Sequence, residues 1–208
     1  MPFAPPEPFN IANYFLDDRI REGNGAKTAL ICGDRTLTYG QVQALANRFG
    51  NVLKNLGVEP EQRVMIALPD LPEFAGALFG ILKTGAVVVM VNPQLKPEEI
   101  AYFFEYTRTR VAIVHAESLQ AFEEAAKDAR WLKKLLVVGG PAGPHVSFET
   151  EAKKASEQLE NAPTHRDDPA IWLFSGGTTG KPKAVVQTHR AFAYTTESYA
   201  NGALGYRA

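Results

Sequence analysis

The sequence predicts an α/β protein, a doubly wound and mainly parallel sheet with flanking helices. Two observations carry this. The runs Val64–Leu68, Val87–Val91 and Val111–Val114 are apolar along their whole length, as strands buried on both faces are. Segments of helix length lie between them, with apolar residues three and four apart, and parallel strands need crossovers of that kind.

The elements follow in order. Residues 1–27 form an arm and helix; Pro2, Pro5 and Pro6 open it, without the basic and apolar segments of a signal peptide. Residues 28–38 read as a hairpin turning at Gly33-Asp34. Thr38 and Gln41 make a capping box for a helix with Val42, Leu45, Ala46, Phe49, Leu53 and Leu56 on one stripe, stopped by Gly57. Pro72 opens a second helix that Gly85 closes, and Pro97 opens a third through Ile100, Phe103 and Phe104. Leu119–Ala129 reads as a further crossover helix, Leu135–Val138 as a fourth strand, and Phe148–Leu159 as an amphipathic helix. The polar connector Asn161–Pro169 divides an α/β subdomain, 28–162, from the start of a next one, 163–208. There Ala170–Phe174 and Ala184–Val186 read as strands, and Thr188 as the cap of a last helix.

Composition narrows the function. The 208 residues carry 22 basic and 23 acidic side chains, a formal charge of −1, with no basic footprint for nucleic acid or an anionic membrane. The longest uncharged apolar stretch, Phe74–Leu82, is far short of the roughly 18 residues of a membrane span. Cys32 is the only cysteine, which excludes an internal disulfide and a thiolate-rich metal site. A cytoplasmic protein is expected.

One segment carries sharp chemistry: Ser175-Gly176-Gly177-Thr178-Thr179-Gly180-Lys181-Pro182-Lys183. Its glycines permit positive φ and let backbone N–H groups converge on an anion. Ser175, Thr178 and Thr179 add hydroxyl donors, and Lys181 and Lys183 add positive charge. Pro182 extends the backbone so that both lysines can point the same way. The result is a polyphosphate cradle, with a plain Gly/Ser/Thr hairpin connection as the alternative. A Walker loop does not fit, because the position it needs as glycine is Ser175 and Pro182 follows Lys181. The loop is expected to join two strands.

This loop resembles that of the adenylate-forming, AMP-binding enzymes, an aromatic residue followed by Ser/Thr-Ser-Gly-Thr/Ser-Thr-Gly-x-Pro-Lys-Gly. Gly176 stands where that family usually has Ser, and Ala184 where it has Gly. Leu37-Thr38-Tyr39-Gly40-Gln41-Val42 and Leu82-Lys83-Thr84-Gly85-Ala86, continuing to Val91-Asn92-Pro93, resemble two earlier motifs of the same family, in the same order. Phe9–Asp17, Gly23–Ala29 and Val185–Arg190 resemble the benzoate-CoA ligase branch.

The resemblance implies the N-terminal subdomains of an ATP-dependent acid–CoA ligase. Such an enzyme activates a carboxylic acid, with an aryl acid such as benzoate favoured, as an acyl-adenylate, and passes the acyl group to coenzyme A. ATP, Mg2+ and coenzyme A are the implied cofactors. Ser175, Gly176, Gly177, Thr178, Thr179, Gly180, Lys181 and Lys183 are the implied phosphate-binding residues. The family's catalytic and metal-binding motifs are expected further along than Ala208, so no catalytic or metal residue is assigned here. The chain on its own is expected not to turn over, and the remaining C-terminal part is its expected partner. A homodimer is compatible with the resemblance. Alternatives are a fatty-acyl-CoA synthetase, a carrier-protein-loading adenylation domain and a non-catalytic truncated paralogue. An exposed apolar face is expected after Asp168.

His115, His145, His165 and His189 lack metal-ligand spacing, and the acid pairs Asp17-Asp18, Glu98-Glu99, Glu123-Glu124 and Asp167-Asp168 read as solvated faces or turn caps.

Overall fold

A computed structural model describes residues 3–176 and 180–206. Two strands, β1 (Thr28–Cys32) and β2 (Arg35–Thr38), form an antiparallel hairpin set apart from the main sheet. The main sheet contains β3 (Arg63–Ala67), β4 (Val87–Met90), β5 (Val111–His115), β6 (Lys134–Val138), β7 (Val146–Ser147), β8 (Pro169–Ser175) and β9 (Lys183–Thr188). Their spatial order is β7-β6-β5-β3-β4-β8-β9, and every neighbouring pair is parallel except β8 with β9.

Helices cover both faces, which is why the strands are apolar throughout. Val64 and Ile66 of β3 face one core, packed by Phe49 and Leu53 of α1 (Tyr39–Asn55), Ala77 and Ile81 of α2 (Pro72–Lys83), and Phe148. Met65 and Ala67 face the other, packed by Ile100 and Phe104 of α3 (Pro97–Thr107) and Phe122 of α4 (Leu119–Ala126). Val64, Met65, Ile66 and Ala67 are all fully buried. β4 lies on one side of β3 and β5 on the other, so the winding direction reverses there and α2 and α3 fall on opposite faces.

Local chemistry explains the main elements. The Thr38 hydroxyl accepts from the Gln41 N–H, and the Gln41 side chain accepts from the Thr38 N–H. Gly57, at φ +77°, ends α1 in a conformation that side chains resist. α1 and α2 approach until a Cβ on Gly80 would lie 2.7 Å from the Ala46 carbonyl and 2.9 Å from the Gly50 N.

Three details depart from the sequence pattern. The helix expected over 148–159 is α5 (Phe148–Ala152) alone. Beyond it the Glu157 carbonyl accepts from Asn47 (2.7 Å), and those of Ser156 and Gln158 accept from Asn51 (2.9 and 3.0 Å), so α1 holds this stretch out of a helix. β7 (Val146–Ser147) forms between the expected strand at 135–138 and the expected helix at 148, where the sequence pattern marks no element. Thr188 stands in the cap position of α6 (His189–Thr195) but makes no side-chain cap bond.

The N-terminal arm, with π-helical turns at Asn13–Asp17 and Ile20–Asn24, is fastened by a buried ion pair. Lys83 Nζ donates to both Asp17 oxygens at 2.8 and 2.9 Å. The same carboxylate accepts from Gln43 (2.6 Å) and Asn161 (2.7 Å). Burial alone would push this carboxyl up, but the hydrogen bonds from Gln43, Lys83 and Asn161 outweigh it and hold it below the usual range. Asp17 is therefore a structural anchor, not the solvated acid its neighbour Asp18 suggests. Beyond Asp168 the exposed residues include Val185, Val186, Tyr194, Tyr199, Leu204 and Tyr206.

Candidate functional site

The site candidate is the tip of the β8–β9 hairpin. β8 is seated in the sheet beside β4, where Val88 pairs with Ile171 and Val89 with Trp172. β9 returns antiparallel on the outside, its last pair before the tip being Ser175 with Lys183. The loop joins two strands, consistent with the block that Pro182 puts on a helix start.

Ser175 is exposed at the end of β8 and Lys183 exposed at the start of β9; Gly176, Gly180 and Lys181 are exposed between them. Gly177, Thr178 and Thr179 lie outside the described residues. Among the described residues, a Cβ on Gly176 or Gly180 would meet nothing within 4 Å. At these two positions the glycines contribute open space for close approach.

The electrostatics suit an anion. Among the described residues no carboxylate lies within 4 Å of the Lys181 or Lys183 ammonium. Lys181 Nζ sits 4.8 Å from the ring centroid of Tyr102 on α3. The same helix grips the β8 limb of the hairpin: Phe174 packs edge-on against Phe103 (4.7 Å) and Tyr106 (5.9 Å), and Trp172 against Tyr106 (6.4 Å). Residues 172 and 174 share a strand face and pack, partly buried, against the second core. In sequence Tyr102 and Tyr106 look like ordinary amphipathic helix residues, so the grip by α3 has no local signal.

The remaining titratable groups do not converge. His189 is buried at the start of α6, and its Nδ1 accepts from the Ile11 N–H (3.1 Å). Burial lowers its pKa to about 4, against a weaker opposing pull from Asp168, so the ring is neutral at pH 7. His145 meets Glu123 at 2.8 Å, while His115 and His165 approach exposed acids at 3.7 and 3.8 Å. Among the described residues no group of three His, Cys, Asp or Glu could hold a metal ion, and no helix is long and apolar enough to cross a membrane.

A lysine-flanked hairpin on a mainly parallel α/β sheet thus lies in a chain whose residues 17–207 match the family described as AMP-binding enzyme. The chain belongs to that family. Members it resembles include a 4-hydroxybenzoate–CoA/benzoate–CoA ligase of Rhodopseudomonas palustris, 36% identical over 96% of this chain and 37% of the relative. A 3-hydroxybenzoate–CoA/4-hydroxybenzoate–CoA ligase of Thauera aromatica is 33% identical over 90% of this chain and 36% of its own length. Among solved structures, an anthranilate CoA ligase in complex with anthranoyl-AMP superposes with a TM-score of 0.93 at 35% identity, over 98% of this chain and 39% of that one. A benzoate CoA ligase from Burkholderia xenovorans superposes with 0.83 at 32% identity, over 95% of this chain and 38% of that one. The chain spans little more than a third of the length of these AMP-binding relatives.

Proposed function

We propose that this chain is the N-terminal portion of an ATP-dependent aryl acid–CoA ligase, and that the β8–β9 hairpin tip holds the β- and γ-phosphates of ATP. The observation that carries the reading is the exposed Lys181–Lys183 pair beside glycines with open space above them, at the end of a strand seated in the core. Attack of a carboxylate on the α-phosphorus forms the acyl–adenylate bond, breaks the α–β phosphoanhydride and leaves charge on pyrophosphate. Backbone amides of the loop, the hydroxyls of Ser175, Thr178 and Thr179, and the ammonium groups of Lys181 and Lys183 would stabilise that charge. Mg2+ would add positive charge on the same phosphates; no residue of this chain is assigned to it. Coenzyme A takes the acyl group in the second half-reaction, and no residue here is assigned as its catalyst.

Aryl acids are favoured over fatty acids because the relatives named above are hydroxybenzoate, benzoate and anthranilate ligases. The segment boundaries at 27/28 and 162/163, a cytoplasmic location and a homodimer are further parts of the proposal. Limited proteolysis near residue 163, cell fractionation and light scattering would check them. The substrate reading is tested by giving the full-length protein ATP, coenzyme A and a panel of acids. Benzoyl- or hydroxybenzoyl-CoA with AMP as co-product supports it, and thioesters formed only from long-chain fatty acids overturn it.

A further inference from the structure

We propose that Tyr102 is a positioning residue for the phosphate-binding loop, tethering its return limb at Pro182 and holding the Lys181 ammonium over its ring. The proposal rests on the phosphate-binding reading of that loop.

Two observations converge on this side chain and a third on its helical neighbour Tyr106. Its hydroxyl donates to the Pro182 carbonyl at 2.8 Å, fixing the peptide that lies between the two lysines. Its ring lies 4.8 Å from Lys181 Nζ. One turn further along the same helix, Tyr106 Oη accepts from the Ala184 N–H at 3.4 Å, so positions i and i+4 of α3 face the same limb. α3 itself is fixed by Ile100 and Phe104, both fully buried against the sheet. The return limb is thereby referred to the core through a helix, while the descending limb is referred to it through β4 and β8.

The choice of partner matters chemically. A carboxylate at this position would neutralise Lys181 and compete with phosphate. An aromatic face attracts the ammonium without cancelling its charge, and more weakly than a charge-assisted hydrogen bond to phosphate does. Lys181 can therefore leave the ring when a polyphosphate arrives, having been kept near it beforehand. Restricting the rotamers of a lysine before binding reduces what binding must order.

The test uses the full-length protein with Tyr102→Phe, Tyr102→Leu, Lys181→Ala and the Tyr102→Leu/Lys181→Ala double variant. Tyr102→Phe loses one hydrogen bond and keeps the ring, so KM for ATP should rise about fivefold while KM for the acid is unchanged. Tyr102→Leu should raise it further, yet add less in the Lys181→Ala background than alone. Without ATP, trypsin should cut at Lys183 faster in Tyr102→Phe than in wild type. If Lys181→Ala weakens ATP while both Tyr102 variants keep the wild-type KM and cleavage rate, the tether is refuted and the loop reading stands. If Tyr102→Leu raises both KM values equally and lowers Tm, the residue is structural only and the proposal fails. If Lys181→Ala leaves KM for ATP untouched, the phosphate-binding reading falls, and this proposal with it.

Discussion

Replacing one member of the Asp17–Lys83 pair should loosen the N-terminal arm, by an amount that depends on which member is removed. Both side chains are buried, at 6% and 1% exposure, and removing one partner of such a pair costs about 3–5 kcal/mol. Lys83→Met leaves the Asp17 carboxylate with Gln43 and Asn161 still donating to it, so its cost belongs near the low end, about 3 kcal/mol. Asp17→Leu strands an ammonium whose side-chain hydrogen bonds among the described residues both go to Asp17, so it should cost about 5 kcal/mol. The double variant removes the buried charge altogether. It leaves the Gln43 amide without that acceptor, at about 1 kcal/mol, while the Asn161 amide keeps the Asn13 oxygen at 3.3 Å, and it should be more stable than either single variant. Urea unfolding followed by circular dichroism, extrapolated to water, measures all four forms. Additive losses in the double variant, or Lys83→Met being worse than Asp17→Leu, would refute the reasoning. The pair also sets an acid limit. Because the folded-state pKa of Asp17 lies below the unfolded value of about 3.9, its stabilisation is complete above that pH and is lost as pH falls through the folded value.

Other outcomes follow from the same packing. His189 stays neutral down to about pH 4, whereas an unfolded histidine protonates near 6.5. Its contribution is therefore full above about pH 6.5 and declines by up to about 3 kcal/mol as pH falls to 4. His189→Asn should flatten the urea midpoint across that window, and an unchanged slope would contradict the assignment. Gly80→Ala places a methyl group against the Ala46 carbonyl and should lower stability by about 3 kcal/mol, read as a fall in Tm. Gly176→Ser, with open space around it, should leave Tm unchanged.

What the sequence made legible was whatever is encoded locally. Thr38 and Gln41 are three residues apart and fix a helix start by themselves; Val64–Leu68 announces a strand buried on both faces; Pro182 after Lys181 rules out a helix and leaves a hairpin. What it hid was set by partners far along the chain. Asp17 looks solvated until Gln43, Lys83 and Asn161, which are 26, 66 and 144 residues away, close around it. The stretch after α5 has helical spacing, but the Asn47 and Asn51 amides take its carbonyls from more than 100 residues away. The candidate loop could be read as chemistry because its glycines and lysines are contiguous. Its grip by Tyr102 could not, since that residue is 80 positions from Pro182.

The central claim is that the β8–β9 hairpin tip holds the phosphates of ATP during activation of an aryl acid. Exchange of radiolabelled pyrophosphate into ATP by the full-length protein tests it most directly, with and without benzoate, for wild type and Lys181→Ala/Lys183→Ala. Exchange that requires the aryl acid, and that needs at least about tenfold more ATP in the double variant, is the predicted result. Aryl-acid-dependent exchange with the same ATP requirement in both proteins, or none with any aryl acid in wild type, would contradict it.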